Sequence, residues 1–355
     1  LQGIFDEMDL EKLGDYRSGH FNQKRLGTVE ALGIYLNTTA ENRTPKAQYN
    51  DERTLNMLFG QMEQSGHKFI DQISPFDVQL LINQHSERGI SEATLMYYKK
   101  GMSKVFKWLS EDMELVEMKN PLKKVKIPKK SGLVRDRIPT KAEMAALHVA
   151  AVEGVIKNRS PIVGIFKFIS LTGARLGEVL HMEWEDFDEK TGIWSIRSKP
   201  LCPTLYGLGW KPKWDKWRQV PLFDDSIELL ECLPKQEEVY GTVPVRDKNN
   251  EIIGHELYPA NFVFPKKVVD GKSGRVGYCR VDGIRNGWES LKKLARVENL
   301  QLRDLRTYFN HILKTNYNFT SKEAGAYIGN NEVVNELHYS PYHEPTIREK
   351  MQRIP

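Results

Sequence analysis

The sequence predicts a mainly α protein with a small antiparallel β-sheet, divided into two domains. Three observations point there. The chain is 355 residues long, more than one hydrophobic core usually serves. Apolar residues recur at helical spacing before residue 120 and again after Val281, while a short alternating pattern around Lys190-Thr191-Gly192 lies between them. A Pro- and Lys-rich run from Asn120 to Gly132 interrupts the helical pattern, because proline ends helices and holds the preceding residue extended. The expected bounds are a helical domain over 1–119, a linker over 120–137 and a second domain over 138–355 that ends in a tail.

In chain order, Ser74-Pro75-Phe76-Asp77 predicts a helix start: a capping serine, proline at the first helical position and an acid at the third. Val78, Leu81 and Ile82 then share one face. Ser91 to Thr94 opens another helix, in which Leu95, Tyr98, Met102, Val105, Phe106 and Leu109 recur at helical spacing. Lys99, Lys100, Lys104 and Lys107 fall on or near its other side. Residues before about Thr44 read as partly helical with no clear partner pattern. After the linker, Thr140-Lys141-Ala142-Glu143 is a capping box for a helix through Ala151, and Pro161–Leu171 and Arg175–Met182 read as two further helices. Trp184–Phe187 and Ile193–Ile196 alternate on either side of the Lys-Thr-Gly turn, which predicts a hairpin. Pro200–Trp210 reads as a long Gly/Pro/aromatic loop, Lys211–Leu222 as a return to strand, and 234–259 as a polar insertion with room for a hairpin.

At 40% hydrophobic and 28% charged the chain has ordinary globular composition. It has no apolar run long enough for a bilayer and no signal pattern at Leu1-Gln2-Gly3, so a cytoplasmic location without membrane association is expected. Cys202, Cys232 and Cys279 are odd in number and lack metal-ligand spacing. There is no His-Glu-x-x-His and no Gly-rich Lys-Ser/Thr loop, so neither metal, nucleotide nor other cofactor is expected. The net charge of +5 leans weakly towards a polyanion. Its distribution says more, since Lys123, Lys124, Lys126, Lys129 and Lys130 are concentrated in the linker, where lysines would neutralise phosphates and release counterions.

The candidate chemistry lies in four phrases. Arg175 sits in the small-residue turn Thr172-Gly173-Ala174-Arg175-Leu176-Gly177-Glu178, and Arg303 and Arg306 in Leu302-Arg303-Asp304-Leu305-Arg306. A lysine-rich stretch, Lys211, Lys213, Lys216 and Arg218, leads into Val220-Pro221-Leu222. Gly329-Asn330 then precedes His338-Tyr339. Guanidinium forks match non-bridging phosphate oxygens. A phenolate can attack phosphorus and keep the broken bond as a phosphotyrosine. A lysine can protonate a leaving oxygen.

In this order and spacing the residues resemble the tyrosine recombinase (phage integrase) family, over about Ile138 to Tyr342, with a compatible helical domain before it. The Thr-Gly-Ala-Arg175-Leu-Gly-Glu178 phrase is similar to the family's first motif. Trp184-Glu185-Asp186-Phe187-Asp188 is similar to the entry into its small sheet, and Phe262-Val263-Phe264-Pro265 to the phrase before its final helices. Tyr339 stands nine positions after Asn330, as the family nucleophile stands after its third-motif His or Trp.

The resemblance implies a two-domain C-shaped clamp on duplex DNA, with a helical core-binding domain and a tyrosine-recombinase catalytic domain. It implies Arg175, Lys213, Arg303, Arg306, Asn330 and Tyr339 as catalytic, Glu178 and His338 as supporting, and Lys211, Lys216, Arg218 and the linker lysines as DNA contacts. Lys211 is the fallback for Lys213, and Tyr342 for Tyr339. The implied function is cleavage and rejoining of DNA at a specific site through a 3′-phosphotyrosyl link, as a homotetramer joined by the tail Pro341–Pro355 with Ile347, Met351 and Ile354 as apolar anchors. Integration or excision of a mobile element is favoured over a Xer-like chromosome dimer resolvase, a type IB topoisomerase-like enzyme and a catalytically weakened DNA-binding relative. Arg303 and Asn330 depart from the family pattern at positions where His is usual, and His338 and His311 stand as alternative proton acceptors.

Overall fold

The computed structural model describes residues 25–129, 137–153, 161–247, 251–269 and 276–339. Two compact units are present, Leu1–Leu133 with Pro244–His255, and Val134–Val243 with Glu256–Pro355.

The first unit is built from α1 (Thr28–Thr38), α2 (Pro45–Gln64), α3 (Pro75–Glu87) and α4 (Glu92–Lys107), the last continuing into a π-type turn, Trp108–Asp112. Caps fix the helix starts. Pro45 and Pro75 occupy first-turn positions after the capping residues Thr44 and Ser74. Asp77 accepts from the Ser74 N–H at 2.9 Å, and Ser91 caps α4 by accepting from the Thr94 N–H at 3.3 Å. Leu32, Leu55, Leu58, Phe59, Ile82 and Phe106 form the core. The segment before Thr44 thus has a clear role: α1 buries Ala31 and Leu32 in that core. Residues 1–24 lie outside the described chain.

The expected linker is in large part docked on this unit. Leu122 and Val125 are buried in the first core. The Gln79 side chain brackets the Lys126 backbone, donating to its carbonyl at 2.9 Å and accepting from its N–H at 2.8 Å. Lys99 donates to the Val125 carbonyl at 2.6 Å, so it is not on the solvated face with Lys100, Lys104 and Lys107. Lys123, Lys124, Lys126 and Lys129 remain exposed, and Lys130 lies outside the described residues.

In the second unit, α5 (Lys141–Glu153) opens on the expected box, with Thr140 N–H to Glu143 at 2.9 Å and Glu143 N–H to Thr140 at 3.1 Å. Next come α6 (Ile162–Thr172) and α7 (Leu176–Leu180). A three-stranded antiparallel sheet has the order β1 (Phe187–Asp188), β2 (Ile193–Ile196), β5 (Arg218–Pro221), with Ile196 opposite Arg218. Gly192 at φ +66 closes the predicted turn, but the expected strand Trp184–Phe187 is a 3₁₀ turn over Trp184–Asp186 and pairs only from Phe187.

Two further expectations are revised here. The Pro200–Trp210 loop is a hairpin, β3 (Lys199–Thr204) with β4 (Gly207–Trp210). Two-stranded ribbons tolerate proline at positions that need no ladder donor; Gly207 supplies φ 145 where the ribbon turns, and Gly209 φ 106 within β4. Only the end of Lys211–Leu222 is strand. Pro212 and the left-handed Asp215 (φ 53) place a 3₁₀ turn at Lys213–Asp215 instead. The polar insertion supplies strands β6 (Val239–Arg246) and β7 (Ile252–Pro259), in a sheet of order β7-β6-β9-β8 with β8 (Lys266–Val269) and β9 (Val276–Cys279); β6 and β9 run parallel.

Helices α8 (Asp224–Glu231), α9 (Arg285–Ala295), α10 (Leu302–Thr315), α11 (Ser321–Ile328) and α12 (Glu332–Tyr339) complete the unit. Its core joins Ile165, Phe166, Phe168, Trp194, Leu291 and Leu305. Phe262, Val263 and Phe264 are buried, and a Val263 N–H to Met182 carbonyl bond of 2.9 Å pins that phrase to the segment after α7.

Candidate active site

Two left-handed glycines build the site. Gly173, at φ 60, ends α6, and a Cβ there would lie 2.6 Å from the Phe309 ring. Gly329, at φ 76, ends α11. Each turn exposes carbonyls at a helix end that need donors, and arginines provide them. Buried Arg306, on α10, donates from Nη1 to the Gly173 carbonyl at 2.7 Å and from Nη2 to the Ile328 carbonyl. Arg175, at the N-cap of α7, donates from Nη2 to the Gly329 carbonyl and to Asn330 Oδ1, both at 2.7 Å.

Glu178, on the first turn of α7, accepts from the Arg175 backbone N–H at 3.0 Å and from Arg175 Nη1 at 2.9 Å. Both of its oxygens also accept from Arg218, Nη1 at 3.0 Å and Nη2 at 2.8 Å. Its side chain is 2% exposed. Burial alone would raise this carboxyl; hydrogen bonding and charge from Arg218, then the charge of Arg175, outweigh it and hold the group below the usual carboxylate range. Arg175 and Arg218 share the one carboxylate of Glu178, and Arg306 stands on the adjoining glycine turn, a concentration of positive charge that suits an anion.

Asn330 donates its own N–H to the Gly325 carbonyl at 2.7 Å. Because a guanidinium only donates, its contact with Arg175 fixes Oδ1 as the engaged atom, and Nδ2 is buried without a partner among the described residues. Helix α12 starts two residues later, capped by Asn331, whose Oδ1 accepts from the Val334 N–H at 2.8 Å. Asn335, fully buried on α12, donates to Asn310 Oδ1 on α10 at 2.7 Å. Asn310 stands one turn beyond Arg306 and Asn335 one turn before Tyr339, so this amide pair ties the tyrosine's helix to the arginine's.

The structure therefore gathers Arg175, Glu178, Arg306 and Asn330 at one place. Arg303 is on the exposed side of α10 and is not hydrogen-bonded into this group among the described residues. Lys213 is exposed on the turn between β4 and β5, Lys211 pairs with Asp215 at 3.1 Å, and Lys216 is exposed. Arg218 departs from its expected place among solvated DNA contacts: at 15% side-chain exposure its fork is committed to Glu178. Tyr339 is the last residue of α12, while its side chain and that of His338 lie outside the described residues, as do Tyr342 and the tail with Ile347, Met351 and Ile354.

Sequence reasoning missed two further groups. Asn310 and Asn335 carry no local signal. Lys199 is buried on β3 and donates to the His181 carbonyl at 2.8 Å, to Glu183 at 2.7 Å and to Asp186. His181 in turn stacks on Trp210 with ring centroids 5.0 Å apart, which seats the β3–β4 hairpin behind α7. Among the described residues no His, Cys, Asp and Glu cluster is placed to hold a metal ion, and no helix is long and apolar enough to cross a membrane.

The fold is that of the tyrosine recombinases. The structure is similar to the Tn1549 transposon integrase in complex with a circular intermediate DNA, with a TM-score of 0.64 and 16% identity over 91% of this chain and 99% of that one. It is also similar to a lambda integrase dimer bound to a COC′ core site (TM-score 0.56, 13% identity, 94% of this chain and 81% of that one). A lambda integrase tetramer bound to a Holliday junction gives a TM-score of 0.54 at 13% identity, over 96% and 85% of the two chains. No protein-family model and no curated protein sequence matches the chain.

Proposed function

We propose that the chain is a site-specific tyrosine recombinase that cuts and rejoins duplex DNA, in the manner of a mobile-element integrase. The observation that carries this reading is the convergence of Arg175 and Arg306 on the two glycine turns beside Asn330, with positive charge concentrated there and the Tyr339 helix tied to the arginine helix. The structures that share the fold include a transposon integrase in complex with a circular intermediate DNA and a lambda integrase dimer bound to a core site, which favours DNA as the anion.

In this reading Arg175 and Arg306 hold the non-bridging oxygens of the scissile phosphate and stabilise the charge that builds up in the pentavalent transition state. Asn330 Nδ2 adds a neutral donor. The Tyr339 oxygen attacks phosphorus, the 3′-phosphotyrosyl bond forms, and the 5′-oxygen leaves with a proton from Lys213. The released 5′-hydroxyl of a partner duplex reverses the step, so the bond energy is conserved and no nucleotide is consumed. The helical unit with Lys123, Lys124, Lys126 and Lys129 grips the duplex, and the tail joins protomers into a tetramer.

The test uses nicked duplexes tiled across the DNA that flanks the gene, incubated with the chain in EDTA and separated on a denaturing gel. The wild type is expected to form a covalent adduct on one tile and Tyr339→Phe none. A wild type that binds a tile yet forms no adduct on any of them would leave a DNA-binding protein without cleavage.

A further inference from the structure

The geometry points to Arg218 as a positioning residue: its fork on Glu178 fixes Arg175, and its strand ties that arginine to the lysine-bearing turn. This deepens the recombinase reading and rests on it.

Arg218 touches both anchors of Arg175. The first is Glu178, whose two oxygens it binds at 3.0 and 2.8 Å while one of them also accepts from Arg175 Nη1 at 2.9 Å. The second is the Gly329 turn, whose carbonyl accepts from Arg175 at 2.7 Å. A Cβ at Gly329 would lie 2.6 Å from Arg218 Cζ and 2.7 Å from Nη1, so the guanidinium lies directly against that turn. Arg175 reaches the two Glu178 oxygens by one backbone and one side-chain bond; the bidentate fork of Arg218 adds a second bond to each oxygen and supplies the counter-charge that keeps the buried carboxylate ionised for Arg175. Arg218 is also the first residue of β5, two positions after Lys216 and five after Lys213. A shift of the turn that carries Lys213 is therefore transmitted through Arg218 to the arginine cluster.

The charged groups around Glu178 make a clean test possible. Arg175 and Arg218 face the carboxylate directly. His181, Lys199, Arg197 and Asp186 line the crevice that Glu178 borders, but Lys199 is committed to Glu183 and Asp186, and Arg197 to Glu185 and Asp186. Burial acts to raise Glu178, and Arg218 is the main force against it. Without Arg218 the burial remains and the carboxyl rises. A protonated Glu178 then releases Arg175, so cleavage survives above the raised value and is lost as pH falls through it.

Arg218→Met and Arg218→Lys are compared with wild type by single-turnover adduct formation on the duplex that wild type cleaves, with an oxygen or a bridging 5′-sulfur leaving group. Glu178 is titrated in parallel by carboxyl ¹³C NMR on the chain without DNA. Arg218→Met is expected to slow cleavage about 10- to 100-fold, less than the roughly 100- to 1000-fold for deleting a transition-state donor outright, because Arg175 is loosened and not removed, with both leaving groups alike. It should gain an acid limb that Glu178→Gln in the same background removes, while Arg218→Lys recovers part of the rate. Arg218→Met cleaving at the wild-type rate with no new limb overturns the inference and leaves the recombinase reading intact. A wild type that never cleaves removes the recombinase reading instead, and an unmoved Glu178 titration in Arg218→Met then overturns the inference independently. Should Arg218→Met lose its cooperative melt, Glu178→Gln decides: a rate loss of the same size is expected, and an undiminished rate is the contrary result.

Discussion

Replacing Asn335 with alanine separates the docking of the tyrosine helix from the rest of the site. Asn335 is 0% exposed, as is Asn310, and the Nδ2–Oδ1 bond between them is 2.7 Å. The lost bond costs about 1 kcal/mol net, and an Asn310 oxygen left buried without that donor adds roughly 1–2 kcal/mol. The expected loss is therefore about 2–3 kcal/mol, which for a unit of this size lowers the melting temperature by roughly 4–12 °C. Asn310→Ala should cost a similar amount. The double variant should cost clearly less than the sum, by about 1–2 kcal/mol, because the bond the two share is lost only once. Tyr339 stands one turn beyond Asn335, so adduct formation should slow in both single variants while duplex binding in a gel-shift assay is unchanged. Thermal melts of the four proteins supply the cycle. Additivity within about 0.5 kcal/mol, or adduct formation at the wild-type rate in both singles, would refute the claim that this pair positions the tyrosine helix.

Lys199→Met should destabilise by about 3 kcal/mol or more in a urea melt, since it strands Glu183 and the 1%-exposed Asp186 carboxylate in the interior; a loss under about 1 kcal/mol would mean that Arg197 and solvent already satisfy them. Changing the exposed Lys124, Lys126 and Lys129 together to Ala should flatten the log–log salt dependence of duplex binding by about 2–3, measured by fluorescence anisotropy, and an unchanged slope would take this run off the DNA. Lys213→Ala should slow cleavage of an oxygen-linked duplex by about 100-fold and leave a 5′-sulfur-linked duplex near wild type, whereas equal loss on both would remove Lys213 from proton transfer.

The local parts of the fold were legible because they are encoded locally. Ser74 with Asp77 and Thr140 with Glu143 are reciprocal caps that need no knowledge of the remaining chain. Arg175 and Glu178 were legible for the same reason, being one turn apart in a small-residue phrase. Arg218 was not. In the sequence it is one cation among several on an alternating strand, where a solvated position is the ordinary expectation, and its partner lies 40 residues away. Asn310 and Asn335 are 25 residues apart, and nothing in either helix's periodicity marks an amide as buried. Lys199 precedes a Pro-rich stretch that reads as surface loop, and only the folded hairpin carries it under α7. Arg175, Arg306 and Asn330 also bind across elements, but each sits in a recognisable phrase, whereas Arg218, Asn310, Asn335 and Lys199 do not.

The same contrast bears on the proton that Tyr339 would lose in the proposed reaction. Motif spacing alone identifies Asn330 as a replacement for an imidazole and suggests a site with a missing part. In the folded geometry Oδ1 is taken by Arg175, and Nδ2 is buried without a partner among the described residues. An imidazole N–H would offer phosphate the same hydrogen bond, so what the substitution removes is the capacity to accept or relay a proton near neutrality. Arg303, exposed and permanently charged, does not restore that capacity. What the site does provide is a group of arginines held by glycine-turn carbonyls and one buried carboxylate. In the proposed reaction a field of this sign would favour phenolate over phenol, which makes electrostatics the way of activating a tyrosine nucleophile that needs no dedicated base.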